Sequence, residues 1–235
     1  MLVMVLTLTL FLAAGCDSGG GESKSTPVPA ETATSRCGGS LEGCFGYAEM
    51  PVYLDSITPL VSQFFNARYA SVREPRIVFV PNGRNGSGPC GGYATSQSYE
   101  YCPANQTIYV GQDLLWSFYH GAGDAAPAIG LAHEWGHHLQ FMLDVPMPRS
   151  AAESVRFENQ ADCISGAWAK YAREKGWLEE PDDIEDAGAL LQAIGSRESA
   201  GRDHGTAVER TKSFQMSFRE GIKACDAFFP TAPIG

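Results

Sequence analysis

The segment His133-Glu134-Trp135-Gly136-His137 has the residue types and spacing of an HExxH motif. Residues four apart lie on the same side of an α-helix, so both imidazoles can bind one metal ion. Glu134 lies about 100° around the helix from His133, which places its carboxylate beside the ion rather than on it. From that position a carboxylate can act as general base towards water polarised by zinc. The motif therefore predicts one Zn²⁺ per chain and hydrolytic chemistry with Glu134 as the base.

A catalytic zinc site needs a third protein ligand and an open position for water. The longer pattern HExxHxxGxxH is absent, because Gln140 and Leu143 stand in place of its glycine and third histidine. Glu158 lies 21 residues after His137, and Asp162 follows it by four residues on the same helical face. We expect Glu158 to be the third ligand and Asp162 to accept the free N–H of a liganding histidine. The alternative is the reverse assignment, with Asp162 as the ligand.

The remaining histidines have weaker assignments. His204, which lies between two glycines in a segment after the ligands, is a candidate for stabilising the oxyanion that develops during hydrolysis. The alternative is a structural role for His204 at the start of the following helix. His138 follows the motif on another face and is predicted to pack or to lie at the surface, and His120 to lie in a loop or at a helix end. No GxSxG sequence occurs, so a serine hydrolase has no support.

Periodicity, caps and breakers predict the elements that position these groups. Ser150 and Glu153 have the form of a capping box, and prolines 146 and 148 end the preceding helix. The glycine-rich loop 83–92 lacks the spacing of a phosphate-binding loop. One helix-rich α+β domain with a small sheet is expected. Its predicted helices are 55–67 (capped by Asp55), 125–143, 150–175, 182–194 and about 206–223, and its predicted strands are 76–80 and 106–110.

Composition and charge exclude several classes of protein. The chain has 235 residues, of which 44% are hydrophobic and 11% aromatic, as in a folded globular protein. Lys and Arg total 17 against 27 for Asp and Glu, so the formal net charge is −10. Because this charge repels a phosphate backbone, we expect no nucleic-acid partner.

The N-terminal residues predict export from the cytoplasm. The uncharged apolar run from Leu2 to Ala14 is too short to span a bilayer and suits a secretory signal. The segment ending at Cys16, Leu-Ala-Ala-Gly-Cys, resembles the lipobox of bacterial lipoproteins, which implies lipid attachment at that cysteine. An ordinary cleaved signal or a retained helix are the alternatives. We expect a signal peptide at 1–16, a flexible polar tether at 17–36 and the catalytic domain at 37–235.

Six cysteines follow the tether, an even number that indicates three disulfides in an exported protein. Sequence alone permits 15 pairings of six cysteines. Short separations favour Cys37 with Cys44 and Cys90 with Cys102. Cys163 then pairs with Cys225.

The chain resembles the bacterial family called putative neutral zinc metallopeptidases, a branch of the HExxH zincins. The resemblance covers about residues 90 to 228 and rests mainly on the segments 101–109, 131–138, 158–163 and 218–225. It implies a zincin-like fold with an HExxH active-site helix. It also implies zinc at His133, His137 and Glu158, with Glu134 as base. The strand 106–110 is implied to lie near the cleft as the edge strand of such a fold.

These observations together predict an extracytoplasmic zinc metallopeptidase of the bacterial envelope. It would be held at the membrane by a lipid on Cys16, or be secreted if the anchor is absent, and would act on peptide or protein substrates. A zinc-stabilised envelope binding or scaffold lipoprotein with little turnover is the alternative from another class. A zinc hydrolase of a non-protein amide, such as cell-wall peptide, is a third possibility.

Overall fold

The structure is a computed structural model that describes residues 41–87, 90, 93–178, 183–195 and 203–235. These residues form a helix-rich domain with a three-stranded sheet, which confirms the predicted α+β class. The predicted signal peptide, tether, lipid attachment at Cys16 and Cys37–Cys44 disulfide all depend on residues 1–40, which lie outside the described part. None of the helices in the described ranges has the length and apolar character needed to cross a membrane.

Six α-helices and three strands are numbered here in chain order. The helices are α1 (Met50–Arg68), α2 (Gln112–Gly121), α3 (Ala126–Met142), α4 (Ala151–Glu174), α5 (Asp183–Ile194) and α6 (Ala207–Glu220). The strands are β1 (Arg76–Val80), β2 (Tyr99–Cys102) and β3 (Thr107–Gly111). Short 3₁₀ segments, Tyr47–Glu49 and Ile222–Ala227, precede α1 and follow α6.

The sheet has the order β1-β3-β2, with β1 parallel and β2 antiparallel to β3. The implied edge position of strand 106–110 is therefore wrong, because this segment forms β3 at the centre of the sheet. All five residues of β3 are buried. The edge strand next to the HExxH helix is β2, a four-residue strand that the sequence analysis did not identify.

Two predicted helix boundaries differ from the observed ones by more than one residue, and one helix was not predicted. Helix α1 begins at Met50, with Pro51 in its first turn, so Asp55 lies inside the helix and does not cap it. The last long helix ends at Glu220 instead of Lys223, because Gly221 takes a φ of 88° that ends the helix. Helix α2, which follows β3 directly, is the one that the sequence analysis missed.

Helix α3 lies at the centre of the domain and carries the HExxH motif. Fourteen of its 17 residues are buried, and Trp135 stacks on Phe65 of α1 with ring centroids 4.6 Å apart. On another face, a Cβ added at Gly136 would come within 3.2 Å of the Ala161 backbone. The glycine of the motif therefore lets α4 approach α3 closely, which brings the acidic residues of α4 to the two histidines.

Helix α4 is fixed at its start and along its length. Ser150 caps it by accepting a hydrogen bond from the Glu153 N–H at 3.3 Å, as predicted. A Cβ added at Gly166 would collide with the Phe214 backbone, so α6 also lies unusually close to α4. Disulfides join Cys163 to Cys225 and Cys90 to Cys102, which confirms both of these predicted pairings.

Candidate metal centre

His133, His137 and Glu158 converge at one point between α3 and α4. Oε2 of Glu158 lies 3.3 Å from Nε2 of His133, and its Oε1 lies 3.4 Å from Nε2 of His137. One potential ligand atom from each residue lies within 4.8 Å of the other two, and we call these three residues the metal group. Two imidazoles and one carboxylate form the donor set of a catalytic zinc site that keeps a position open for water.

Glu134 is buried next to this group, on the side of the sheet. Its Oε2 accepts a hydrogen bond of 2.7 Å from the backbone N–H of Tyr101 in β2. Burial is the largest cause of its raised pKa, and the nearby His133 and His137 partly oppose the rise. The edge strand thus fixes the orientation of a carboxylate whose proton affinity is increased, as a general base requires.

Asp162 lies behind His133, one helical turn beyond Glu158. Its Oδ1 is 2.9 Å from Nδ1 of His133, a close contact that is poorly aligned for a hydrogen bond. Arg210 of α6 donates to both oxygens of Asp162, at 2.9 and 2.8 Å. Both members of this ion pair are buried, with side-chain exposures of 2% and 1%. Asp162 therefore connects a histidine of the metal group to a fixed cation.

Sequence reasoning missed Arg210, although its helix contained a signal. Arg210, Ser213, Phe214 and Ser217 form the buried face of α6. An arginine on the buried face of an amphipathic helix needs a buried anion. This requirement could have paired Arg210 of α6 with one of the two acidic residues of α4, Glu158 or Asp162.

The charges of the site fit a divalent cation. Glu134, Glu158 and Asp162 contribute three negative charges in buried or largely buried positions, and Arg210 contributes one positive charge. The difference is two negative charges among these described groups. Since buried charge is unfavourable unless it is compensated, a doubly charged metal ion bound by the two histidines and Glu158 would balance the site.

The close contacts between these residues shift their pKa values in opposite directions. Burial lowers the pKa of His133, but the charge and contact of Asp162, together with Glu158, outweigh it and raise this pKa to about 10. Burial likewise raises the pKa of Glu158, but the two histidines outweigh it and hold this pKa well below its usual range. Both pKa shifts follow from the close approach of imidazoles and carboxylates at one point between α3 and α4.

His204 lies at the mouth of the same cleft, where the sequence analysis placed its candidate oxyanion donor. Its Nε2 is 3.7 Å from Oε2 of Glu158, and its Nδ1 is 2.9 Å from the Asp203 carboxylate. The side chain is 45% exposed. The Thr206 side chain, not His204, caps α6, by accepting from the Glu209 N–H.

His138 and His120 both lie outside the metal group. His138 is buried, and its Nε2 lies 2.7 Å from the Arg73 carbonyl while its Nδ1 lies 3.0 Å from the Tyr101 hydroxyl. Because a carbonyl can only accept, Nε2 donates and Nδ1 accepts from Tyr101. His138 therefore packs, as predicted, and holds the Tyr101 ring against the cleft. His120 lies in the last turn of α2 and stacks on Trp116.

A cleft of about 360 Å³ opens onto the metal group. Tyr99, Tyr101 and Glu100 of β2 line it on one side, and α3 supplies the HExxH residues. Leu190, Leu191 and Ile194 of α5 contribute an apolar wall. A substrate in this cleft would meet the histidines, Glu134 and the edge strand together.

Comparison with known families decides which branch of HExxH proteins this is. The family model described as "Putative neutral zinc metallopeptidase" matches residues 48–228, which include every element of the site above. The chain belongs to this family.

Relatives of this neutral zinc metallopeptidase family member occur in Escherichia coli and Mycobacterium tuberculosis. "Uncharacterized protein YpfJ" of Escherichia coli strain K12 is 34% identical over 195 residues, covering 71% of this chain and 66% of the relative. "Uncharacterized protein Rv2575" of Mycobacterium tuberculosis H37Rv is 33% identical over 177 residues, covering 63% and 60%. The chain thus spans just under two thirds of the length of these curated relatives. No solved structure matches it.

The buried Asp162–Arg210 pair gives a testable expectation about stability. Arg210→Met should lower the free energy of unfolding by about 3–5 kcal/mol, because it leaves the Asp162 carboxylate buried without its cation. Asp162→Asn combined with Arg210→Met should recover much of that loss, since neither member of the pair is then left buried without the other. Urea denaturation of the zinc-free proteins measures both effects.

The matched control is Arg219→Met, which removes an exposed arginine from the same helix. It should change the free energy of unfolding by less than about 0.5 kcal/mol. A loss in Arg210→Met no larger than in this control would show that the pair contributes nothing to the folded state.

Proposed function

We propose that this protein is a zinc-dependent peptidase that hydrolyses peptide bonds in the cleft between β2, α3 and α5. The observation that carries the proposal is the convergence of His133, His137 and Glu158 with the buried Glu134 carboxylate beside them. The family to which the chain belongs supports the same chemistry. Zn²⁺ would be held by the two Nε2 atoms and the Glu158 carboxylate.

When bound there, zinc would polarise the scissile carbonyl and lower the pKa of water. The Glu134 carboxylate, held by the Tyr101 N–H, takes the proton of the attacking water and delivers it to the leaving amine. Asp162, fixed by Arg210, orients His133. Tyr101 and Tyr99 form the side of the cleft along which a peptide can lie.

The direct test is cleavage of a mixed peptide library, followed by mass spectrometry. The zinc-loaded protein should cut peptides, the chelator-treated protein should not, and added zinc should restore cleavage. Zinc binding without any cleavage would contradict the peptidase proposal. That result would favour the envelope binding protein, or, if a cell-wall amide were hydrolysed instead, a different hydrolase.

His204 provides a separate expectation within this mechanism. We propose that its ring donates to the oxyanion, oriented by Asp203. His204→Ala should then lower kcat by roughly 10²–10³-fold while zinc content and melting temperature stay the same, because the side chain is half exposed. An unchanged kcat in a folded, zinc-loaded variant would remove His204 from the mechanism.

We also propose that the protein acts outside the cytoplasm and is anchored by a lipid on Cys16. The apolar N-terminal run and the lipobox-like segment support this location. The disulfides Cys90–Cys102 and Cys163–Cys225 suit an oxidising compartment. Intact-mass analysis tests the anchor: an acylated Cys16 at the mature N-terminus is expected, and an unmodified N-terminus beyond Cys16 would contradict it.

A further inference from the structure

A second pocket of about 300 Å³ adjoins the metal centre. It shares Tyr101, His137, Glu158 and His204 with the main cleft, so the two pockets meet at the metal group. Its remaining wall is mainly apolar, and we call it the Met147 pocket. The apolar residues of this wall are Pro103, Phe141, Met147, Pro148 and Phe157.

The apolar surface of the Met147 pocket is unusually exposed. Four large hydrophobic side chains are exposed in the described part of the chain, and two of them, Phe141 (37%) and Met147 (56%), line this pocket. Contiguous exposed apolar surface at a cleft commonly marks a binding site. Two of the four therefore lie where a ligand bound at the metal group would reach.

The pocket is connected to the metal group by direct contact. The Phe157 ring stacks on the His137 ring, with centroids 5.4 Å apart and planes at 13°. Met147 lies in the segment between α3 and α4, where Pro146 and Pro148 restrict the backbone. The wall is thus formed by an aromatic ring stacked on His137 on one side and a stiff loop on the other.

The charges of the Met147 pocket limit what it can accept. Its ionisable lining groups are Glu158, Asp203, Tyr101 and the imidazoles of His137 and His204. No lysine or arginine is among the lining residues in the part of the chain that the structure describes. An acidic side chain would therefore meet the Asp203 carboxylate and none of these basic side chains, whereas an uncharged apolar side chain would bury surface against Phe141 and Met147.

We infer that the Met147 pocket is a specificity subsite for a large apolar side chain of the substrate, at one of the two positions flanking the bond that is cut. The inference rests on the proposed peptidase function, because it names the substrate that this site prefers. Peptides with Leu, Met or Phe at that position should be preferred over those with Ala by roughly 10–100-fold in kcat/KM. Peptides with Asp or Glu there should be poor substrates.

A charge introduced at the rim tests the subsite by changing its preference. Met147→Lys should reduce the apolar preference and raise the relative kcat/KM for peptides with Glu at that position. Met147→Leu should keep the wild-type profile, since it conserves an apolar side chain of similar volume. Val208→Lys is the matched control, because Val208 is 77% exposed and lines neither pocket. A gain for acidic peptides cannot arise from misfolding.

A binding measurement separates this inference from the proposed function. Competition between alanine hydroxamate and phenylalanine hydroxamate for the zinc-loaded protein reports the subsite without any cleavage, because the two compounds differ only in the phenyl group. Tighter binding of the aromatic compound, weakened in Met147→Lys, is expected. If no peptide is cut but this pattern holds, the peptidase proposal is wrong and the subsite stands. Equal affinities of the wild type for the two compounds would overturn the subsite, whether or not peptides are cut. So would a preference for the aromatic compound that is the same in Met147→Lys as in Val208→Lys.

Discussion

Glu134→Gln should lower kcat for peptide hydrolysis by roughly 10²–10⁴-fold while the protein still binds zinc. The amide has the size of the carboxylate and can still accept the hydrogen bond from the Tyr101 N–H. It cannot take a proton from water, so only the acid–base step is removed. The variant is measured by steady-state kinetics on a peptide that the wild type cleaves, with zinc content determined on the same sample.

The control for this expectation is Glu174→Gln, which makes the same change at an exposed position near the end of α4. It should leave kcat and zinc content unchanged. If Glu134→Gln kept wild-type activity, the proton would have to move through another group. Glu134 would then be a structural partner of β2 and not the base.

His137→Ala should abolish stable zinc binding and hydrolysis together. It removes one of three ligands and also the ring on which Phe157 stacks, so the two remaining donors cannot hold the ion through dialysis. Zinc content should fall from one ion per chain to nearly none, and His133→Ala should behave alike. Metal analysis after dialysis against metal-free buffer makes the measurement.

His120→Ala is the matched control for the ligand variants. It removes an exposed histidine whose ring stacks on Trp116 in the last turn of α2. It should retain zinc and activity. Full zinc occupancy in His137→Ala would show that other groups bind the metal. Full occupancy in Glu158→Ala would favour Asp162 as the third ligand.

Both expectations depend on the closeness of three helices. The absence of a side chain at Gly136 lets α4 approach α3 closely, and its absence at Gly166 lets α6 approach α4. The first approach places Glu158 against both histidines, and the second places Arg210 against Asp162. The disulfide Cys163–Cys225 ties α4 to the segment that follows α6. The candidate site residues of α4, Glu158 and Asp162, therefore lie in the same stretch of helix as Cys163 and Gly166, which fix or allow its close packing.

Much of the candidate site could be predicted from local sequence. The 3.6-residue period of a helix is enough to place His133 and His137 on one side with Glu134 beside them. The same period puts Glu158 and Asp162 on one face of α4. Short-range caps and breakers predicted the start of α4 at Ser150, and cysteine separations predicted two disulfides. Each of these features depends on neighbours within a few helical turns or on a simple count.

The rest depended on contacts between distant segments. Sequence left Glu158 and Asp162 as alternative ligands. Only the packing of α4 on α3 places Glu158 between the two histidines and Asp162 behind His133. Arg210 reaches Asp162 across 48 residues of chain, so no local pattern could pair them. The position of β3 inside the sheet likewise depends on pairing with β1 and β2, which periodicity within one strand does not encode.

The edge of the cleft shows most clearly what tertiary structure decided. Residues 99–102 form too short a run for strand periodicity to be recognised, and they become a strand by pairing with β3. That pairing places the Tyr101 N–H on Glu134 and the Tyr101 hydroxyl on His138. The sequence alone determined which residues are the candidates for binding a metal ion and activating water. Packing decided what surrounds them, because burial, charge partners and pocket walls come from segments that are distant along the chain.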